Sequence, residues 1–337
     1  MTEDSKQTQD IGLTIRRGNN GANKGMIYSR QPASYDESRL FGEVIMSILD
    51  MLRIPIYRHA KSNHVYSYRQ KIAVLVFMSA EGLTYNSLHR TLGRYQGFLD
   101  AIGMTRSVPN GSTMNKFMKS LDKGILESIF PVFRRYLRKN SIVAIDATGI
   151  SNFNRSAHYE KRCDDFGHLL PKRTFTKLSL SSDVQTRFIV SARSSAEAPH
   201  DIKFTDAHLD DLELMKERIG HIVADKGYDS LQFMRSIKQR LHCGYRIPIR
   251  VSRKKGFAVH GHERKKMLAL MQDKKKWISI YGLRSVIEST NFMVKSQPKS
   301  DIRERLDGNR EKRALLTAAA FNVSNSIRLK ANWMLTV

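Results

Sequence analysis

The sequence predicts an α/β protein: a mixed sheet with flanking helices, preceded by an all-helical N-terminal region. Between about Leu40 and Leu137, apolar residues recur with the 3.6-residue period of helices. At "SIVAIDATGI", which begins at Ser141, the pattern changes to short apolar runs and strand-like alternation. Elements then follow in the order strand, strand, strand, helix, strand, helix, strand, helix, which is typical of a sheet with helices on its faces.

Domain organisation follows from length and composition. Domains usually hold roughly 100–200 residues, so the 337-residue chain is long enough for two. Residues 1–35 are polar, with "NNGANKG" among them, and are predicted to form a disordered tail. Residues 36–138 are predicted to be the helical region, and residues 139–332 the α/β domain.

The helical region contains short helices separated by Gly and Pro turns. Thr84 is placed to cap one helix, and Ser112 or Thr113 to cap the helix that follows "VPNG". Basic residues lie along these helices, at Arg90, Arg94, Lys116 and Lys119. The pattern predicts a DNA-binding region, and it fits a helix-turn-helix module and a plain helical bundle about equally well.

The α/β domain is predicted from apolar runs and the turns that separate them. The first strand covers Ile142–Ile145 and stops at Asp146. Later elements are the strands "KLSLSSD" and "RFIVSARSS", a helix "FTDAHLDDLELMKERIG" closed by Gly220, the strand Ile222–Ala224 ending at Asp225, the helix "LQFMRSIKQRL", the strand "YRIPIR", and a final helix over about Glu311–Lys330.

Charge is the strongest compositional signal. The chain holds 57 Lys and Arg against 32 Asp and Glu, a formal net charge of +25. This surplus indicates a polyanionic partner, with nucleic acid the first candidate and an anionic membrane surface the second. The longest apolar run, Ile72–Ala80, is far shorter than the ~20 residues of a membrane span. We therefore expect no membrane partner and a cytoplasmic, nucleoid-associated protein.

Two aspartates stand where predicted strands stop. Ligands of open α/β sheets gather at the carboxyl ends of strands, so Asp146 and Asp225 are expected to lie close together, with Glu288 as a third carboxylate. Two carboxylates ~5 Å apart repel by about 3 kcal/mol at an effective dielectric near 20. Hard divalent cations, Mg²⁺ or Mn²⁺, remove this repulsion, and two such ions are the known apparatus for displacement at a phosphodiester. An isolated Asp after a strand is more often a turn former.

The segment "YGLRSVIESTNFMVKS" forms a predicted amphipathic helix. At about 100° per residue, its polar stripe spans an arc of roughly 60°. The stripe consists of Tyr281, Arg284, Glu288 and Lys295. Arg284 and Lys295 suit phosphate, and Tyr281 suits a hydrogen bond or a base. A solvated surface helix would look similar when considered alone.

A basic segment, residues 250–276, precedes this helix. It holds ten Lys or Arg, including Lys254 and Lys255, and only two acidic residues. We expect it to contact DNA, although charge runs are usually solvated. Trp277 follows it and is expected to pack in the core rather than to stack on a base.

Three segments together resemble the catalytic motifs of insertion-sequence DDE transposases: "IVAIDATG", "HIVADKGYDS" and "YGLRSVIESTNFMVK". The last fits the subgroup signature Tyr-x2-Arg-x3-Glu-x6-Lys at every fixed position. The resemblance covers roughly Ser141 to Lys330. Glu288 follows Asp225 by 63 positions, and after "YRIPIR" this stretch has the pattern of a basic loop and helix rather than a long β-rich insertion, so the chain is similar to the compact members.

The resemblance implies a ribonuclease-H-like fold and two-metal cleavage of DNA with strand transfer. By resemblance, Asp146, Asp225 and Glu288 are the catalytic metal ligands. Tyr281, Arg284 and Lys295 contact the DNA of the element's terminal inverted repeats. The family implies target DNA as a second partner and a homodimer in the DNA complex. The alternatives are a non-catalytic DNA-binding regulator and an inactive transposase remnant.

Overall fold

The helical region begins at Asp36, and the computed structural model describes residues 36–58, 65–105, 107–152, 175–250, 259–298 and 300–329. Its helices are α1 (Glu37–Met51), α2 (Tyr68–Ala80), α3 (Tyr85–Leu92), α4 (Gln96–Ala101), α5 (Gly111–Ser120) and α6 (Lys123–Ser128), followed by a 3₁₀ segment, Phe130–Tyr136. The predicted disordered tail, residues 1–35, lies outside the described residues.

Helix caps in this region follow the sequence closely. Ser67 and Thr84 each begin a helix with a capping box, in which the cap side chain and the third helical residue exchange hydrogen bonds. The prediction for Thr84 is therefore confirmed. The prediction for α5 is wrong by two or three residues, because Asn110 is the cap and accepts from the Thr113 backbone N–H at 2.8 Å. Ser112 instead donates its hydroxyl to the same Asn110 oxygen.

The sheet has five strands in the order β3-β2-β1-β4-β5. They are β1 (Ser141–Ser151), β2 (Phe175–Asp183), β3 (Ile189–Ser195), β4 (Ile219–Ala224) and β5 (Gly244–Arg246). β1 pairs antiparallel with β2 and β2 with β3, whereas β1 and β4, and β4 and β5, run parallel. The predicted mixed α/β sheet with flanking helices is confirmed.

Two predicted boundaries in the sheet are wrong. Asp146 does not end its strand, because β1 continues to Ser151 by pairing with the whole of β2. Gly220 does not close a helix but lies within β4, because the preceding helix ends at Glu213 and a 3₁₀ turn leads into the strand. The parallel partner of β1 does end where expected, at Ala224.

The remaining helices cover the sheet and extend its C-terminal side. They are α7 (Thr205–Glu213), α8 (Leu231–Ser236) with a π-helical continuation (Ile237–Leu241), α9 (His262–Gln272), α10 (Lys274–Tyr281), α11 (Ser285–Lys295) and α12 (Asp307–Arg328). α12 is largely buried along its length, as expected for a helix that packs on both parts of the chain.

α12 joins the helical region to the sheet. Its Lys312 donates to the backbone carbonyls of Met118, Lys119 and Leu121 at the end of α5. Asn322, on the same helix, donates to the Ile189 carbonyl at 2.7 Å and accepts from its N–H at 2.9 Å. One buried hydrophobic cluster includes residues of both parts. The division at residue 138 therefore stays a prediction.

No helix in the described part of the chain is both long and apolar enough to cross a membrane.

Candidate active site

The candidate site lies where the parallel pairing of β1 and β4 stops. Ile145 and Ala224 are the last paired residues, so Asp146 and Asp225 are the next residues on adjacent parallel strands. Neighbouring strands lie about 4.8 Å apart and residues in register point to the same face. The structure thus brings these two aspartates together.

Asp225 also shapes the turn that leaves β4. Its Oδ1 accepts from the Gly227 backbone N–H at 2.5 Å and begins a 3₁₀ turn, Lys226–Tyr228. A Cβ at position 227 would lie 2.7 Å from that Oδ1, so any larger residue there would displace the Asp225 carboxylate. The aspartate is therefore a turn former as well as a member of the carboxylate pair.

Asp146 is held in a desolvated setting. Burial raises its pKa to about 6; the charges of Asp225 and Asp201 also raise the pKa, and Arg284 and the Ala147 backbone N–H lower it. Asn291 of α11 donates Nδ2–H to Oδ2 of Asp146 at 2.9 Å. A carboxylate kept in place at a cost in free energy is a common feature of functional sites.

α10 and α11 carry the predicted polar stripe. The single helix expected here is interrupted by a 3₁₀ turn, Gly282–Arg284. α11 then packs across β1 and β2. Its buried face contains Ile287, Thr290, Asn291 and Val294. Glu288 and Lys295 lie on its exposed face, and Tyr281 and Arg284 are partly buried before it.

Tyr281 and Arg284 are close enough to both the aspartates and Glu288 to interact with their charges. The Arg284 guanidinium is 5.9 Å from the centre of the Tyr281 ring. Burial raises the pKa of Tyr281, and the charges of Asp225 and Glu288 act on the same hydroxyl. The charge of Arg284 therefore interacts with those of both Asp146 and Glu288.

Glu288 is separate from the aspartate pair. Its side chain is 54% exposed and accepts a hydrogen bond from Arg284 Nη2 at 2.5 Å. Within the described residues, no three His, Cys, Asp or Glu side chains are arranged as a metal-ligand cluster. The pairing has a simple cause, since a guanidinium attracts Glu288 whereas a third carboxylate beside two others would be repelled.

Two neighbours of the pair were not found from the sequence. Asn291 lies three residues after Glu288, so helical spacing could have placed it beside the stripe. Asp201, in a 3₁₀ turn before α7, has Oδ2 only 3.6 Å from where a Gly227 Cβ would lie, and it pairs with Lys177. No local pattern could have identified Asp201, because only the tertiary fold brings its loop to the sheet edge.

The oxygen atoms at this edge suit a hard divalent cation. Asp146 and Asp225 supply carboxylates, and Oδ1 of Asn291 is a buried acceptor without a hydrogen-bond partner among the described residues. Such an oxygen set favours Mg²⁺ or Mn²⁺ over zinc. Asp146, Asp225 and Asn291 therefore carry oxygen donors of the type that the predicted ion prefers, whereas Glu288 is not arranged with them as a ligand.

The described residues of the basic segment do not all have the DNA-contacting role expected from the sequence. Lys254 and Lys255 lie outside the described residues. Arg264 is structural, since it pairs at 2.7 Å with Asp229, whose side chain is only 2% exposed. Trp277 is buried and its ring centre lies 4.9 Å from that of Tyr281, which confirms the expected packing role.

An α/β sheet with an acidic edge, in a strongly basic chain, defines a class of proteins suited to phosphate chemistry on a polyanion. The chain belongs to the transposase DDE domain family, whose profile matches residues 137–322. That match covers the whole sheet and ends within α12.

Comparisons with individual proteins add little to the family match. A search of curated proteins found no match. Among solved structures, the cryo-EM structure of a piggyBac transposase synaptic complex with hairpin DNA is similar, with 10% identity and a TM-score of 0.37. The similarity covers 87% of this chain and 73% of that chain.

Proposed function

We propose that the protein is the transposase of an insertion sequence, which cleaves DNA at the ends of the element and joins them to target DNA. The observation that carries this proposal is the adjacency of Asp146 and Asp225 at the end of the β1–β4 pairing. α11 packs across the same strand and carries Glu288 on its exposed face. The family match supplies the reaction class.

The proposal includes the fold class, the motif subgroup and a role for the helical region. The strand order β3-β2-β1-β4-β5, with only β2 antiparallel to its neighbours, supports a ribonuclease-H-like fold. The Tyr281, Arg284, Glu288 and Lys295 spacing supports the Tyr-x2-Arg-x3-Glu-x6-Lys subgroup. The helical region, residues 36–138, is proposed to bind DNA.

Asp146, Asp225 and Glu288 would hold two Mg²⁺ or Mn²⁺ ions. When bound, such ions would neutralise the carboxylates and would supply activation of the attacking and leaving oxygens of the phosphodiester. Asn291 orients Asp146 through its amide hydrogen bond. A hydrogen-bond partner of a metal ligand fixes the orientation of that ligand and tunes its affinity for the ion.

Arg284 has Glu288 as its hydrogen-bond partner, and a DNA phosphate would be an alternative partner. An exposed i,i+4 ion pair contributes only about 0.3–0.5 kcal/mol, so a phosphate can replace Glu288 at little cost. Phosphate binding by Arg284 then frees Glu288 to turn toward the aspartates. Lys295 holds the backbone further along the same helix, and Tyr281 donates a hydrogen bond or contacts a base.

The proposed partners are the terminal inverted repeats of the element and target DNA, bound by a homodimer. The net charge of +25 supports a DNA partner. Lys254 and Lys255 belong to the proposed DNA contacts. Action on chromosomal DNA implies a cytoplasmic, nucleoid-associated protein.

The test measures strand cleavage on a plasmid that carries the DNA flanking the gene on both sides. Asp225→Asn and Glu288→Gln are expected to reduce Mg²⁺-dependent cleavage by about a thousandfold or more, with DNA affinity changed less than about threefold. Asp206→Asn and Glu43→Gln, exposed residues on α7 and α1, are the matched controls. Cleavage at the wild-type rate by either site variant would refute the assignment. Binding by the wild type without any Mg²⁺- or Mn²⁺-dependent product would favour the regulator.

A further inference from the structure

Phe292 is the most exposed large hydrophobic side chain in the described part of the chain. Its relative exposure is 68%. Among the residues described, no aromatic ring stacks on it, and it is not part of the hydrophobic core. Single exposed apolar residues are ordinary, so exposure alone carries no conclusion.

The position of Phe292 is what distinguishes it. Glu288, Phe292 and Lys295 follow each other at helical spacings of four and three, so they share the exposed face of α11. Ser289 and Ser296 are its other neighbours on that face, and Ser296 is tied to the helix by donating Oγ–H to the Phe292 carbonyl at 2.8 Å. One aromatic ring therefore stands alone between a carboxylate and an ammonium group.

This setting suits a nucleobase better than a protein surface. A protein partner needs a contiguous apolar patch, whereas Phe292 is surrounded on its face by charged and hydroxyl groups. A nucleotide combines a flat ring with an adjacent phosphate, which matches an aromatic ring beside Lys295. Bases stack on exposed aromatic side chains without regard to sequence.

We infer that Phe292 stacks on an unpaired base of the DNA strand held at the candidate active site. This inference rests on the proposed function, because it takes the strand to lie along the face that presents Glu288. Stacking requires a base that has left the duplex, so Phe292 favours locally opened DNA. The ring would then fix the register of the strand relative to Glu288, one helical turn away.

The test compares two single-stranded probes of equal length and charge: an all-thymine oligonucleotide and its abasic counterpart. Binding is measured by fluorescence anisotropy in EDTA, so no cleavage occurs. The wild type is expected to prefer the thymine strand, and Phe292→Ala to reduce that preference about tenfold. Phe292→Trp is expected to keep the preference. The salt dependence of binding is expected to be the same in all variants, because the ring contacts no phosphate.

Leu214→Ala is the matched control, since Leu214 is 59% exposed and precedes β4 at the end of that strand away from Asp225. It is expected to leave the preference unchanged. An unchanged thymine preference in Phe292→Ala, with wild-type thermal stability, would overturn the inference. Failure of the proposed function shows separately, as a wild-type protein without metal-dependent cleavage that still distinguishes the two probes.

Discussion

The two halves of the candidate site are built differently. Asp146, within β1, and Asp225, directly after β4, lie where the parallel pairing of these two strands ends. Glu288 lies on the exposed face of a helix, with more than half of its side chain in solvent. Burial raises the pKa of Asp146 to about 6, whereas Glu288 is paired with Arg284 in a solvated setting.

Under the proposed function, this difference separates what the fold provides from what DNA would supply. The sheet fixes the aspartate pair before any substrate arrives, and the folded state accepts the cost of desolvation. The position of Glu288 depends on a weak surface ion pair that a phosphate can displace. On that proposal, the aspartate pair is preorganised, and Glu288 would move only when substrate binds.

Among these comparisons, the largest effect is expected on the free energy of unfolding, when the desolvated carboxylate of Asp146 is removed. Asp146→Asn should stabilise the protein by about 2 kcal/mol at pH 8 in EDTA, because it removes a carboxylate whose pKa the fold raises by about two units. A raised folded pKa costs stability above the unfolded value, so the gain should be full above about pH 6 and vanish below about pH 4. Denaturant unfolding across this range measures it.

Glu288→Gln is the control for that experiment. Its expected effect on the free energy of unfolding is below about 0.5 kcal/mol at every pH, since an exposed ion pair contributes little. Equal effects of the two substitutions on the free energy of unfolding would contradict the difference in burial between Asp146 and Glu288.

A second expectation concerns divalent cations and pH. Mn²⁺ affinity should fall about tenfold between pH 7 and pH 5, because a proton on Asp146 competes with the ion as the pH drops below about 6. Calorimetric titration measures the affinity. Glu288→Gln should retain this pH dependence, whereas Asp146→Asn should bind weakly and show none. A flat profile in the wild type would mean that Asp146 does not hold the ion.

The smallest expected effect is on the salt dependence of DNA binding, through Lys295 on α11. Lys295→Ala should make the slope of log affinity against log salt shallower by about 1, with the larger loss of DNA affinity at low salt. Lys139→Ala, an exposed lysine before β1 at the other end of that strand, should have no effect of this kind. An unaltered slope in Lys295→Ala would remove that residue from the DNA surface.

Local pattern predicted the elements and the aspartate pair, because periodicity and caps depend on neighbouring residues. The extension of β1 past Asp146 was missed, since it depends on pairing with β2 across the sheet. Asp201 likewise reaches the site through tertiary packing, whereas helical spacing from Glu288 could have indicated Asn291. The separation of Glu288 from the aspartates depends on a competing partner, Arg284, which spacing placed on the stripe without indicating that the two would pair.

The anchoring of α12 has a consequence for shortened copies of the gene. Lys312 closes the end of α5 and Asn322 holds β3, so one C-terminal helix supports both parts of the chain. A frameshift or stop codon just before Asp307 would therefore yield a product that misfolds and is degraded. Neither the helical region nor the sheet is expected to persist as a folded fragment without this helix.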